Sequence, residues 1–145
     1  MAHALLQISV FPYTIIEGEI YFALFRKYPR IGGAWEGIVG GGKEGETPLE
    51  TAMHAAFEEA GIMPGARFVP LETFEMIPVT DVDGSGMLPL PQYSFGVEVD
   101  QRKVTTKPWL TEVIWLPLES VMKKLLPESS RTALCELYFR VRNRL

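Results

Sequence analysis

Residues Gly40–Ile62 read GGGKEGETPLETAMHAAFEEAGI, a glycine-rich loop that leads into a helix ending in two adjacent glutamates. Thr47 supplies an N-cap hydroxyl, Pro48 suits the first helical position, and Glu50 can return a hydrogen bond to the cap. Gly61 supplies the C-terminal stop. This stretch therefore predicts a capped helix between Thr47 and Gly61, with a loop of exposed backbone amides before it.

The apolar residues of this helix recur at i, i+3, i+4, i+7, i+8 and i+11, which predicts one stripe facing a core. They are Leu49, Ala52, Met53, Ala56, Phe57 and Ala60. A helical wheel puts a second set of residues together on an outward face. That set is Thr51, His54, Ala55, Glu58 and Glu59.

Glu58 and Glu59, together with Glu46 at the end of the loop, offer the oxygen ligands that magnesium prefers near phosphates. Acids in the last turn oppose the helix macrodipole, and positions that break a local rule are often functional. The same residues also suit a solvated acidic helix end. The residues alone leave both interpretations open.

The order Gly40, five residues, Glu46, eleven residues, Glu58-Glu59, one residue, Gly61-Ile62 resembles the Nudix box. That family hydrolyses nucleoside diphosphates linked to another moiety. The resemblance implies a single Nudix domain over residues 1–145, an α/β fold with an α/β/α sandwich around a mixed β-sheet, and a Mg²⁺ or Mn²⁺ cofactor. It implies Glu58 and Glu59 as metal ligands and catalytic residues, with Glu46 in support.

The box departs from the family pattern at His54-Ala55, where relatives carry Arg-Glu. Relatives often use the missing glutamate as a metal ligand or general base. Glu59, Glu112 or another acid would then have to take the proton. His54 could partly replace the arginine through an i,i+4 contact with Glu58, or bind metal, although a surface histidine is the simpler interpretation.

The resemblance extends beyond the box. Trp35 lies eleven residues before Glu46, a distance common in the family, and Arg26 ends an apolar run as a strand-terminal arginine does in many relatives. Many relatives carry another metal-binding acid shortly before the last strand, where this chain reads Lys107-Pro108-Trp109, so Glu112 is the nearest acid. The chain is most similar to small bacterial enzymes that cut nucleoside triphosphates or dihydroneopterin triphosphate.

The composition fits one compact domain, because 145 residues that are 47% apolar can bury roughly two thirds of the unfolded surface. A net charge of −4 gives no broad basic face for duplex nucleic acid. A polyphosphate would need local cations, and the candidates are Arg26, Lys27, Arg30 and Lys43. For substrate binding, the sequence and the resemblance point to Arg26, Trp35 and Lys43. Candidates for stacking a base or pterin ring are Trp35, Tyr93, Phe95, Trp109 and Trp115.

A single cysteine, Cys135, forms no internal disulfide, and neither a signal peptide nor a membrane span is evident. A cytoplasmic location without membrane contact is the expectation, and a homodimer is compatible with the sequence. Asp81–Gly86 could suggest a calcium loop, but its later ligand positions are not acids, which favours a polar loop.

The remaining chain predicts alternating strands and helices. Strands are expected at Leu5–Tyr13, Ile20–Arg26, Phe74–Val79, Tyr93–Val99 and Glu112–Leu116, and helices at Leu118–Leu125 and Glu128–Arg142. Glu17-Gly18 predicts the turn of an antiparallel hairpin. Three classes of function stay open: a metal-dependent pyrophosphohydrolase, a catalytically impaired domain that binds a nucleotide, and a domain that binds a protein partner.

Overall fold

The computed structural model describes residues 5–27, 33–80, 86–107, 109–124 and 126–145. Its strands are β1 (Leu6–Ile16), β2 (Glu19–Lys27), β3 (Ile38–Gly42), β4 (Arg67–Thr80), β5 (Met87–Glu98) and β6 (Thr111–Pro117). Its helices are α1 (Pro48–Ala60), α2 (Leu118–Val121) and α3 (Glu128–Arg142), with a short 3-10 turn at Gln101–Lys103. Arg30 and most of the Asp81–Gly86 loop lie outside the described residues.

The strands form one mixed sheet in the order β4-β5-β1-β2-β6, with β3 paired to β1. β1 runs parallel to β5 and antiparallel to β2 and β3. The β1–β2 hairpin turns at Glu17 and Gly18, whose φ angles of 51° and 81° are both positive. Two such residues match the twist of the flanking strands, so the predicted hairpin is confirmed.

Two apolar clusters lie on opposite faces of this sheet, because successive side chains of a strand point to opposite sides. On one face α1 packs over Ile8, Val10, Ala23 and Phe25. On the other face α3 packs over Phe11, Tyr13, Phe22 and Leu24. The architecture is the predicted α/β/α sandwich.

The buried side of α1 differs from the predicted stripe. Leu49 and Phe57 are 42% and 50% exposed, whereas the helix buries Thr51, Ala52, Ala55, Ala56 and Ala60. Gly40 on β3 explains the rotation, since a Cβ placed there would lie 2.8 Å from the Ala55 Cβ. The small residues let helix and strand approach closely, so the expectation that Leu49 and Phe57 face the core and that Ala55 and Thr51 face outward is wrong.

The capping of α1 is confirmed: the Thr47 hydroxyl accepts from the Glu50 N–H, and the Glu50 carboxylate accepts from the Thr47 N–H. Helix α3 has the predicted bounds. Helix α2 ends at Val121, earlier than expected, and the Arg131 guanidinium donates to the carbonyl oxygens of Met122 and Lys124 at 2.7 and 2.8 Å. These carbonyls are therefore satisfied without a longer helix.

A carboxylate on α3 supports an irregularity in β4, where the pairing with β5 shifts between Pro70 and Phe74. Glu136 accepts hydrogen bonds from the backbone N–H groups of Glu72 and Thr73 at 2.7 and 2.8 Å and from the Thr73 hydroxyl at 2.6 Å. Backbone N–H groups that leave a β-ladder need another acceptor, which here is a side chain. Glu136 therefore ties α3 to the bulged strand.

The Glu136 contacts predict an acid-sensitive contribution to stability. Burial by itself would raise the pKa of Glu136. The hydrogen bonds from Thr73, from the Glu72 backbone and from Arg140 outweigh burial and lower the pKa below the ordinary value of 4.5. Because the pKa of Glu136 is lower in the folded than in the unfolded protein, the carboxylate stabilises the fold at pH values above the unfolded-state pKa. This stabilisation is lost as the pH falls through the folded-state pKa.

We expect Glu136→Gln to cost about 1–3 kcal/mol of unfolding free energy at pH 7. The cost should shrink below pH 4.5, where the wild type loses the same contribution. Urea titrations at pH 7 and below pH 4 measure it, with the exposed Glu119→Gln as the matched control. An equal cost at both pH values would show that packing, and not the carboxylate charge, supports the strand.

Candidate active site

A cleft of about 360 Å³ lies at the C-terminal end of α1, where the two adjacent glutamates of the helix meet the ends of β2 and β6. Its walls are Lys27, Glu58, Glu59, Lys107, Leu110 and Thr111. We call it the lysine–glutamate cleft. Its formal charges cancel, because two lysines face two glutamates. Larger pockets exist elsewhere on the described surface. This cleft is the pocket that contains Glu58 and Glu59, the predicted metal ligands.

Lys27 and Glu59 form an ion pair inside the cleft, with 3.0 Å between the lysine Nζ and the glutamate Oε1. Lys27 follows Ala23 and Phe25 on the same side of β2, so its side chain extends toward α1. The two side chains are 51% and 35% exposed, which leaves them accessible to a ligand. Glu58 is exposed and makes no ion pair with the described residues.

Glu112 does not join this cleft. It pairs with Arg26, whose Nε and Nη2 atoms both lie 3.0 Å from the Glu112 Oε1. Arg26 and Glu112 are directly opposite on β2 and β6, one position from the Lys27–Thr111 pair, and so lie toward the α3 face. The Arg26 guanidinium also stacks 4.3 Å from the centre of the Trp35 ring.

Glu46 is held at the other end of α1. Its carboxylate accepts from the Lys43 N–H at 3.2 Å and from the Thr51 hydroxyl at 3.0 Å, and lies 2.6 Å from the His54 Nδ1. The Lys43 backbone contact, followed by those of Thr51 and His54, keeps the pKa of Glu46 below its ordinary value. His54 thus contacts Glu46, and these contacts brace the glycine-rich loop against the helix.

The described residues contain no group of three or more His, Cys, Asp or Glu side chains close enough to hold one metal ion. The predicted set of Glu46, Glu58 and Glu59 is therefore not assembled as a three-carboxylate cage. Magnesium is nevertheless often bound by one or two carboxylates together with substrate phosphates and water. Glu58 and Glu59 fit that second kind of site. A cation there would compete with the Lys27 ammonium for the Glu59 carboxylate.

The structure separates the five aromatic candidates for ring stacking. Trp35 and Phe95 are 7% and 4% exposed, and Tyr93 and Trp115 pack against the core under α1. Trp109 is 72% exposed and precedes Leu110 of the cleft wall. The backbone N–H groups of Leu110 and Thr111 both donate to the Lys107 carbonyl, which fixes this turn.

Sequence reasoning missed Lys107 as a cation of the site. The stretch Lys107-Pro108-Trp109 lacks the acid that many relatives carry there, and its lysine belongs to no recognisable motif. Its only signal was its place just before β6, whose start pairs with the Lys27 end of β2. Lys43, by contrast, is exposed in the glycine-rich loop and does not line the cleft.

Comparison with known proteins identifies the class. A family model described as the NUDIX domain matches residues 10–137, so the chain belongs to the NUDIX family. No functionally curated protein matches it in sequence. No helix of the described residues is long and apolar enough to cross a membrane.

Solved structures with the same fold cover nearly the whole chain. A Listeria monocytogenes protein with a provisional NUDIX hydrolase assignment is 26% identical, with a TM-score of 0.83 over 96% of this chain and 95% of that one. The Ap4A hydrolase of C. elegans is 17% identical, with a TM-score of 0.73 over 96% and 98%. The dihydroneopterin triphosphate pyrophosphohydrolase of E. coli is 15% identical, with a TM-score of 0.73 over 92% and 95%.

Proposed function

We propose that this protein is a metal-dependent hydrolase of pyrophosphate bonds in nucleoside triphosphates or related nucleoside diphosphate derivatives. The observation that carries the proposal is the lysine–glutamate cleft, which combines two carboxylates with two ammonium groups. Carboxylates suit a hard divalent cation, and lysines suit phosphate oxygens. The hydrolases among proteins of the same fold, acting on Ap4A and on dihydroneopterin triphosphate, support this class of substrate.

In the proposed reaction, water attacks one phosphorus atom of the pyrophosphate link. The bond from that phosphorus to the bridging oxygen breaks, and the bridging oxygen leaves with the other phosphate group. Lys27 and Lys107 would hold the phosphate oxygens, while Glu58 and Glu59 would hold Mg²⁺ or Mn²⁺, which when bound would neutralise charge in the transition state. A carboxylate accepts the proton of the water. Glu58 is the best placed, because Glu112 is bound to Arg26 outside the cleft. Glu59, once Lys27 has moved to the phosphate, would be the main ligand of the cation.

A second candidate is a nucleotide-binding domain with little or no turnover. The observations that favour it are Ala55 at the position of a family carboxylate and the Lys27 ammonium bound to Glu59. A protein-binding domain differs from both, since it would need no affinity for nucleotides. We also propose a small-molecule substrate, since the cleft has a volume of about 360 Å³, and no binding of duplex nucleic acid, since the chain has a net charge of −4.

A substrate panel separates these candidates. Nucleoside triphosphates, dinucleoside polyphosphates, ADP-ribose and nucleotide sugars are incubated with Mg²⁺ or Mn²⁺, and phosphate, pyrophosphate and nucleotide products are measured. The proposal predicts metal-dependent product from at least one compound. Saturable nucleotide binding without product would favour the second candidate, and the absence of both would leave the protein-binding domain.

The exposure of Trp109 leads us to expect that the base of a nucleotide substrate stacks on this residue, outside the cleft. Trp109 is exposed and directly precedes Leu110 of the cleft wall, and stacking of a base on an aromatic side chain is worth about 1–3 kcal/mol. We expect Trp109→Ala to raise KM about 5- to 150-fold with little change in kcat.

Trp109→Phe, which keeps a ring, should retain most of the affinity, and methyl triphosphate, which has no base, should be cut equally by wild type and Trp109→Ala. A loss of the same size with methyl triphosphate would assign Trp109 a role in shaping the turn instead of stacking.

A further inference from the structure

The position of Lys27 bears on how the cleft takes up a cation and a phosphate. Its Nζ lies 3.0 Å from Glu59 in the free protein, on the carboxylate that a divalent cation would use. Lys107 and Glu58 line the same space. An ammonium and a divalent cation cannot both hold one carboxylate oxygen without repulsion, so they compete for Glu59.

The Lys27 side chain can move from Glu59 to another anion. Its backbone is fixed opposite Thr111 in the β2–β6 ladder, whereas its side chain is half exposed on a flexible four-carbon stem. The ion pair with Glu59 is too exposed to be strong. A phosphate in the cleft would offer the ammonium several anionic oxygens within reach of the same stem.

We propose that Lys27 couples cation binding to phosphate binding. In the free protein the Lys27 ammonium is paired with the Glu59 carboxylate and so weakens the affinity for Mg²⁺. A bound phosphate attracts the ammonium and leaves the carboxylate free to bind the cation. Magnesium then binds together with the phosphate ligand instead of before it. This inference rests on the proposed function of the cleft, and by linkage the coupling acts equally on both ligands.

The test uses Lys27→Met, which keeps the apolar stem and removes the charge. Mg²⁺ binding to the free protein is measured by calorimetry, and methylenediphosphonate, a non-hydrolysable pyrophosphate analogue, is titrated with EDTA and with saturating Mg²⁺. We expect Mg²⁺ affinity to rise about two- to fivefold, since the competing ion pair is lost. Metal-free methylenediphosphonate affinity should fall about tenfold, since a charge-assisted contact is lost.

Mg²⁺ should tighten methylenediphosphonate binding less in Lys27→Met than in the wild type, and the difference should be the same two- to fivefold factor. Lys27→Arg, which keeps the charge, should retain the coupling, and Lys123→Met, on the exposed turn after α2, should change neither affinity. Unchanged or weaker Mg²⁺ binding in Lys27→Met would overturn the inference, as would unchanged metal-free methylenediphosphonate binding.

These outcomes are independent of turnover. Opposite shifts of the two affinities in a protein that cuts no substrate would keep the coupling and remove the proposed hydrolysis. Turnover together with unchanged Mg²⁺ affinity in Lys27→Met would keep the hydrolysis and remove the coupling.

Discussion

Replacement of Glu58 or Glu59 by Gln should lower metal-dependent turnover by about a hundredfold or more, because each change removes a ligand charge or the proton acceptor. Both residues line the cleft, and Gln keeps the size and helix propensity of Glu. The unfolding free energy without metal should stay within about 0.5 kcal/mol of wild type, since both residues are at least partly exposed.

The measurements are initial rates over a Mg²⁺ series and thermal melts with and without metal. Glu119→Gln, an exposed glutamate on α2, is the matched control and should match wild type in both. Unchanged magnesium dependence in both variants would show that the metal binds elsewhere than at the end of α1. Glu58 and Glu59 would then be solvated surface residues of a helix end.

Ala55→Glu should have the largest effect on stability among the changes near the cleft. Ala55 is 8% exposed and packs against Gly40, so a carboxylate there is introduced into the close contact between α1 and β3. We expect a loss of about 1–3 kcal/mol in the metal-free protein. The new carboxylate is one helical turn from Glu58 and Glu59, so Mg²⁺ should restore part of the loss and turnover should rise.

Ala55→Gln is the matched control, since it has nearly the same volume without the charge. It should be destabilised with no recovery in Mg²⁺. If Mg²⁺ gives Ala55→Glu neither stability nor rate beyond Ala55→Gln, position 55 does not face the metal site.

The sequence predicts the scaffold well where local signals and tertiary packing agree. The capping residues of α1, the turn at Glu17-Gly18 and the predicted bounds of α3 all correspond to observed elements. Strand β3 was not predicted, because Ile38–Gly42 is mostly glycine and carries no alternating pattern. The buried face of α1 was mispredicted because hydrophobicity favours Leu49 and Phe57, whereas the contact with Gly40 requires small residues.

The site could be predicted only in part, for a similar reason. A motif in one segment points to Glu58 and Glu59, but the partners of these residues come from distant strands. The pairing of Lys27 with Glu59 depends on the register of β2 and on which side of that strand faces α1. The separation of Glu112 from the cleft depends on the same alternation and is not visible in residue spacing.

The most direct test of the proposed hydrolysis is product release by the wild type beside the Glu58→Gln/Glu59→Gln double variant, purified in parallel and assayed with Mg²⁺ on the best substrate of the panel. The proposal predicts a pyrophosphate-bond cleavage product from the wild type that EDTA abolishes and that the double variant does not form above background. Equal product from both proteins, or product from the wild type that EDTA leaves unchanged, would contradict it.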